Sequence, residues 1–449
     1  MASRHIPTRD RGHRLQETLP KDRQDRAVLV GVSLPSIPSW EAEDSLDELA
    51  RLADTATLEV LDRVIQNRRN VDPAHFLGKG KVGEIKDRAR ALGAHMLIFD
   101  NELSPSQMRN IEKLAEMRVL DRSALILDIF SRHARTHTAQ IQVELAQLNY
   151  LLPRLTRQWT HLSRQAGGGA IRGMGAAGVR GPGETQLETD RRMLRRRAAG
   201  LSQKLARVGR QMATSRKNRG DAFKVALVGY TNAGKSTLMR RLSDADILVR
   251  DQLFATLDST TRTVRLDERR QILLTDTVGF IKRLPHHLFA SFRATLEEAV
   301  EADLLLHVVD LSHPHYESQV ETVKKVLLDL GLEDRPTVTV YNKTDALAPG
   351  DAGALERGFA AQPDAVALSA QTGAGIDALK EKIRFYRDSD DVVLELTVPQ
   401  SEGRLLAQLR HRAEILHEEF SGDEVRLRLR LEASAADRLR LERFAAAAV

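Results

Sequence analysis

Three features of the sequence predict a multidomain α/β fold. Short apolar runs alternate with helix-patterned stretches twice, over 27–135 and again over 221–388. Between them, two apolar stripes at helical spacing flank a glycine-rich segment. After them, 389–449 mixes helical and strand patterns. The expected order is an N-terminal α/β domain (27–135), an antiparallel helical hairpin (136–220), a second α/β domain on a mostly parallel sheet (221–388) and a small C-terminal α+β domain (389–449). Residues 1–26 are rich in charge and poor in apolar groups, and are expected to be disordered.

Taken in order, 28–32 reads as a buried strand. Ser45 with Glu48 forms a capping-box pattern that predicts a helix opening there and running to about Ala53. Residues 57–65 alternate like a strand, and 96–99 is a short apolar one. Ser104, Pro105 and Gln107 open another helix, with proline at its first position. Gly78, Gly80 and Gly83 match a dinucleotide fingerprint formally, but no strand precedes them, so a turn before a helix is the better reading.

In the hairpin, Ile141, Leu145, Leu148, Leu152 and Leu155 form one stripe, and Pro153 should kink or end that helix. Leu187, Leu194, Leu201 and Val208, with Leu205 and Met212 beside them, form the other. The intervening 166–183 holds eight glycines in 18 residues and no acidic group. It cannot bury a core and should order only against a partner. The last segment reads strand, helix, strand, helix, and Val425, Leu427, Leu429 and Leu431 alternate with charges as on a half-exposed sheet.

Composition removes several function classes. The 449 residues include no cysteine, which excludes disulfides, thiolate nucleophiles and cysteine-ligated metal centres. No run approaches the roughly 18 apolar residues of a membrane span, and the charged N-terminus is no secretory signal. This permits a reducing cytosol, and a monomer in solution is expected. The net charge of +6 matters less than where the charge sits.

The chemistry is concentrated after 221. The apolar strand 225–228 leads into Gly229, Tyr230, Thr231, Asn232, Ala233, Gly234, Lys235, Ser236 and Thr237, followed by a helical stretch. This is the phosphate-binding loop in its strand–loop–helix setting. Its glycines let backbone N–H groups face phosphate oxygens, Lys235 meets the outer phosphates, and the Ser236 hydroxyl is offered to Mg²⁺. A second apolar strand ends in Asp276, Thr277, Val278 and Gly279. Asp276 would act on Mg²⁺ through water, and the Gly279 N–H would meet the γ-phosphate. Between these motifs lie Phe254, Ala255, Thr256, Leu257 and Asp258. Thr256 is the candidate switch threonine that closes on Mg²⁺, with Thr260 and Thr261 as rivals.

A third strand runs into Asn342, Lys343, Thr344 and Asp345. The Asp345 carboxylate suits the guanine N1–H and exocyclic amine, a donor pair that adenine lacks. Asn342 could bond the base edge, and the Lys343 stem could cover its face. Ser369, Ala370 and Gln371 could present a backbone N–H to guanine O6. The order, spacing and strand-end placement of these motifs are those of Ras-like P-loop G domains that use GTP, yield GDP and require Mg²⁺. Lys235, Thr256 and Gly279 are the expected catalytic groups, with no side-chain general base. Phe280 stands where such enzymes place a water-orienting glutamine. Either it packs in the domain and hydrolysis is slow, or a partner orders the switches or supplies the missing group.

Beyond the generic motifs, nearly the whole chain from about Ala27 resembles the HflX GTPases of the Obg–HflX group. The resemblance is carried by the stretch 180–191 with its Arg-Gly-Pro-Gly-Glu opening, by 254–258, 276–281, 292–298 and 302–310, and by Leu77–Lys81 with Glu84. It implies a cytoplasmic GTPase that binds the large (50S) ribosomal subunit and splits or rescues stalled 70S ribosomes. Ala170 to Val179 departs from the family's pattern as an insertion. An assembly or silencing factor that does not split ribosomes, and an RNA-remodelling NTPase, are the competing functions.

Residues 191–219 hold eleven Lys or Arg and no Asp or Glu. Such a run is often only a solvated helix face. Here it adjoins the acid-free glycine loop with Arg172 and Arg180, so Arg172, Arg180, Arg191, Arg192, Arg195, Arg196 and Arg197 are the expected contacts to ribosomal RNA. With few aromatics interleaved, contact should go through phosphate backbone and shape. His286, His287, His313 and His315 lack partners at metal-ligand spacing and read as loop residues.

Overall fold

A computed structural model describes residues 25–35, 38–155, 186–217, 222–243, 253–254, 259–267, 270–283, 298–347, 358–359, 362–389, 391–432, 436 and 439–444. The glycine-rich segment 166–183 with Arg172 and Arg180, the stretch 255–258 and residues 1–24 lie outside the described residues. The chain divides into two compact units, 1–128 with 144–204 and 129–143 with 205–449.

The first unit is built on β1 (Arg26–Ser33), α1 (Ser39–Thr55), β2 (Glu59–Asn67), α2 (Lys79–Leu92), β3 (Met96–Phe99), α3 (Pro105–Ala115) and β4 (Arg118–Asp121). The strands form a parallel sheet in the order β2-β1-β3-β4. Val28, Leu29 and Val30 are fully buried, as a continuous apolar run in a parallel sheet requires. The Ser104 box is present as expected: the Gln107 N–H donates to Ser104 Oγ at 3.2 Å, and the Ser104 N–H donates to Gln107 Oε1 at 3.0 Å.

The Ser45 box is not a cap. Helix α1 starts at Ser39, so Ser45 and Glu48 lie inside it, both buried. They serve the guanidinium of Arg122, the first residue of α4 (Arg122–His133). Arg122 is 2% exposed, is ion-paired to Glu48, and meets Asp100 Oδ1 at 2.6 Å, while Ser45 Oγ donates to Asp100 Oδ2 at 2.7 Å. A buried cation needs acceptors on every side, and the Ser-x-x-Glu pattern supplies them here. Gly78 sits at the N-cap of α2, which agrees with the turn-before-helix reading.

Helix α5 (His137–Leu151) gives way at Pro153 to a single 3₁₀ turn, Leu152–Arg154. The long basic helix α6 spans Gln186–Lys217. Within the first unit Arg197 pairs with Glu144, and Arg191 Nη2 donates to the Leu155 carbonyl at 2.9 Å. Rising numbers on one side face falling numbers on the other, so the two segments run antiparallel. Of the stripe's described side chains, Leu201 is buried, and Leu194, Leu205 and Val208 are half-buried.

The second unit contains β5 (Lys224–Gly229), α7 (Lys235–Ser243), β6 (Thr260–Arg265), β7 (Gln271–Asp276), β8 (Leu304–Asp310), α8 (Tyr316–Asp329), β9 (Thr337–Asn342), β10 (Ala365–Ala367) and α9 (Ile376–Asp388). Its sheet order is β10-β9-β8-β5-β7-β6, parallel except for β6 against β7. The C-terminal part is an antiparallel sheet, β11-β13-β12, of β11 (Asp391–Pro399), β12 (Glu414–Ser421) and β13 (Glu424–Glu432), with α10 (Gly403–Arg412) packed on it through Leu405, Leu406 and Leu409. One strand was expected after that helix; two are present. Gly422, at φ +61°, and Asp423 make the two-residue turn between them. A register shift between Ile415 and His417 breaks the alternation of β12, which hides it as a strand in the sequence.

Candidate nucleotide site

The carboxyl ends of β5, β7, β8, β9 and β10 converge on one edge of the second unit's sheet, where open α/β sheets bind ligands. Gly229 to Gly234 curl from β5 to the N-terminus of α7. Gly234 has φ +93°, and a Cβ there would stand 2.2 Å from Asn342 Nδ2, so only glycine fits. The Lys235 ammonium, 7% exposed, donates to the Tyr230 carbonyl at 2.8 Å and the Gly229 carbonyl at 3.1 Å. Burial pushes it down to about 8, and the nearby Asp276 carboxylate opposes that shift. An outer phosphate would offer this cation the charge it lacks. Among the described residues, the buried Thr231 hydroxyl has no hydrogen-bond partner, which suits a loop that binds a polar ligand.

Ser236 Oγ donates to Asp276 Oδ2 at 2.6 Å. A hydroxyl and a carboxylate, both hard oxygen donors, thus stand together at the helix N-terminus, a donor set that fits Mg²⁺. Gly279 comes so close that a Cβ would meet Thr231 Cα at 2.8 Å and Lys235 Nζ at 2.9 Å. The next residue locks the two motifs together. The Phe280 N–H donates to the Gly229 carbonyl at 3.0 Å, and the Thr231 N–H donates to the Phe280 carbonyl at 2.7 Å. The Phe280 side chain is 3% exposed. Tyr230 Oη accepts the Lys282 N–H at 2.8 Å.

Not every predicted side chain faces the pocket. Thr277 Oγ1 donates to the Leu227 carbonyl at 2.7 Å and ties β7 to β5, while Val278 is buried. Phe254, at φ +57°, is buried with its ring edge-on to Phe130, centroids 4.7 Å apart. Ala255, Thr256, Leu257 and Asp258 lie outside the described residues. Of the rivals to Thr256, Thr261 lies in β6 with its hydroxyl 2.9 Å from that of Thr275, so it serves the strand pair.

At the base end, Asn342 is 2% exposed and acts as a clamp. Its Nδ2 donates to the Ala233 carbonyl at 2.8 Å, and its Oδ1 accepts the Ala370 N–H at 2.9 Å. Lys343, at φ +67°, is held by Asp310 at 2.6 Å. Thr344 and Asp345 form a short 3₁₀ turn with the Asp345 side chain exposed. Ser369 is buried and its Oγ accepts the Thr372 N–H at 3.1 Å, while Gln371 is exposed. Two supporting residues escaped the sequence reading. Asp310 could have been found as another strand-end carboxylate. Arg241, which bonds the Ala370 and Gln371 carbonyls from α7, left no signal beyond a basic helix end.

Behind the loop, His307 of β8 is 3% exposed, and burial lowers its imidazole to about 4, with Lys324 and Lys235 adding to the shift. The folded state therefore holds it neutral while the unfolded chain protonates below about 6.5. Stability present above that pH is lost as pH falls from about 6.5 towards 4, by about 2 kcal/mol at pH 5. Urea unfolding near neutral pH and at about pH 5 checks this: His307→Leu should flatten that part of the difference, and an equal loss in the variant would count against it.

A phosphate-binding loop, a strand-end aspartate beside its serine, and a base-end Asn-Lys-x-Asp turn on one sheet edge define the class of P-loop guanine-nucleotide enzymes. Family models agree along the chain: "GTP-binding GTPase N-terminal" matches residues 43–131, "GTP-binding GTPase Middle Region" 133–219, and "50S ribosome-binding GTPase" 224–343. The chain is 44% identical over 407 residues to the GTPase HflX of Lacrimispora saccharolytica, covering 90% of this chain and 93% of that one. It is 44% identical over 386 residues to the GTPase HflX of Escherichia coli, covering 86% and 88%. A GTP-binding protein from the archaeon Sulfolobus solfataricus, solved with GDP, aligns with a TM-score of 0.43 at 21% identity, covering 81% of this chain and 98% of that one. The chain belongs to the HflX GTPase family, and its G domain is a GTPase domain. Among the described residues, no helix is long and apolar enough to cross a membrane.

Proposed function

We propose that the protein binds GTP with Mg²⁺, docks on the large ribosomal subunit, hydrolyses GTP to GDP and phosphate, and uses the cycle to split or rescue stalled 70S ribosomes in the cytoplasm. The observation that carries the enzymatic part is the Ser236–Asp276 contact beside Lys235. Ser236 and Thr256 would ligate the metal directly and Asp276 through water. The metal would neutralise charge between the outer phosphates. Lys235 and the Gly279 N–H would stabilise the developing charge on the γ-phosphate, and Asp345 would select the guanine base. With Phe280 buried, position 280 offers no group to orient the water, and the ribosome is the natural source of that order.

The docking part rests on α6. Arg192, Arg195 and Arg196 of this helix are exposed. Replacing Arg192, Arg195 and Arg196 with Ala should weaken cosedimentation with large subunits by at least about tenfold and flatten its salt dependence. Unchanged binding across the salt series would remove this face from the docking surface. Light scattering of 70S particles, with GTP and with a nonhydrolysable analogue, tests the action. Dissociation into subunits supports splitting; stable binding without it favours an assembly or silencing role.

A further inference from the structure

Arg241 lies in the last turn of α7, the helix whose first residues are Lys235 and Ser236. Its guanidinium does not stay on its own helix. Nε donates to the Ala370 carbonyl at 3.3 Å, and Nη2 donates to the Gln371 carbonyl. From the opposite side Asn342 Oδ1 takes the Ala370 N–H. The loop after β10 is therefore held at two of its carbonyls by Arg241 of the phosphate-side helix and at its Ala370 N–H by the accepting Oδ1 of Asn342 on the guanine-side strand. In a planar trans peptide, the N–H points opposite the carbonyl. With the Ala370 carbonyl turned to Arg241, the Gln371 N–H points away from it.

We infer that Arg241 is a positioning residue for base recognition: by gripping the Ala370 carbonyl, with the Gln371 carbonyl beside it, it aims the Gln371 N–H at guanine O6. This rests on the guanine-site reading above. It makes α7 the common support of both ends of the nucleotide, with phosphate groups at its start and the base loop at its end. A charge-assisted pair of bonds to two carbonyls is stronger than a neutral one and fixes both peptide planes. Lysine could reach one carbonyl but not span both.

The test compares GDP with the diphosphate of 2,6-diaminopurine riboside, in which an amine replaces O6 and N1 carries no hydrogen, so that the weakened Asp345 contact is common to parent and variants, by fluorescence-competition titration of the full chain. Arg241→Ala should lose about tenfold in GDP affinity and nothing for the analogue, so discrimination shrinks by the same factor. Arg241→Lys should recover part of it. Equal losses for both nucleotides would mean that Arg241 only supports the fold, and unchanged discrimination would equally overturn the inference. A wild-type protein that does not distinguish GDP from the analogue would instead sink the guanine-site reading itself. Thermal melting of each variant separates loss of fold from loss of recognition.

Discussion

Asp345→Asn is expected to lower GTP affinity by at least about a hundredfold and to transfer preference to XTP. The carboxylate sits in the turn Thr344–Ala346, directly after the left-handed Lys343 that Asp310 pins in place. It is exposed, so the free protein pays no penalty for an unpaired buried charge. Once a base covers it, its two oxygens must find two donors. Guanine offers N1–H and an exocyclic amine. Xanthine keeps N1–H but carries a carbonyl at the neighbouring carbon, which a carboxylate repels and a carboxamide N–H satisfies. Nothing in the substitution touches Lys235, Ser236 or Asp276, so XTP turnover in the variant should approach GTP turnover in the parent. Competition binding with GTP and XTP decides it, and retained GTP affinity would exclude Asp345 from base recognition.

Much of this site is visible in the sequence because its chemistry requires particular residue types at fixed chain separations. A loop that turns its amides inward needs Gly234, and the approach of the second motif needs Gly279. What the sequence conceals is tertiary. Asn342 reads as a base contact, and its amide also joins Ala233 to Ala370, partners 109 and 28 residues away. Ser45 and Glu48 carry a cap's local signature, but the buried Arg122, over seventy residues on, claims both. Thr277 sits in the motif and serves the sheet. In each case a distant polar group adds a role that the local pattern does not show. The strand β12 was hidden for a different reason, since its bulge destroys the two-residue period on which strand recognition depends.

The position after Gly279 decides how far the chain can catalyse alone. A glutamine there could orient water only if its side chain reached the phosphate side. The backbone at 280 is committed in both directions, its N–H to Gly229 and its carbonyl to Thr231, and the side chain is turned into the interior. Phe280→Gln should therefore not raise intrinsic hydrolysis. It should bury an amide without partners and leave unfilled volume, while Phe280→Ala should cost about 3–5 kcal/mol through cavity formation. For a G domain of this size that corresponds to a fall in melting temperature of roughly 10 °C. Saturating GDP stabilises parent and variant alike and leaves the cavity unfilled, so the difference in melting temperature between them should persist. Single-turnover hydrolysis and thermal unfolding of the two variants, with and without large ribosomal subunits, test both halves. A faster Phe280→Gln enzyme would show that the side chain can reach the phosphate after all. Equal parental rates with and without subunits would remove the ribosome as the source of the missing order.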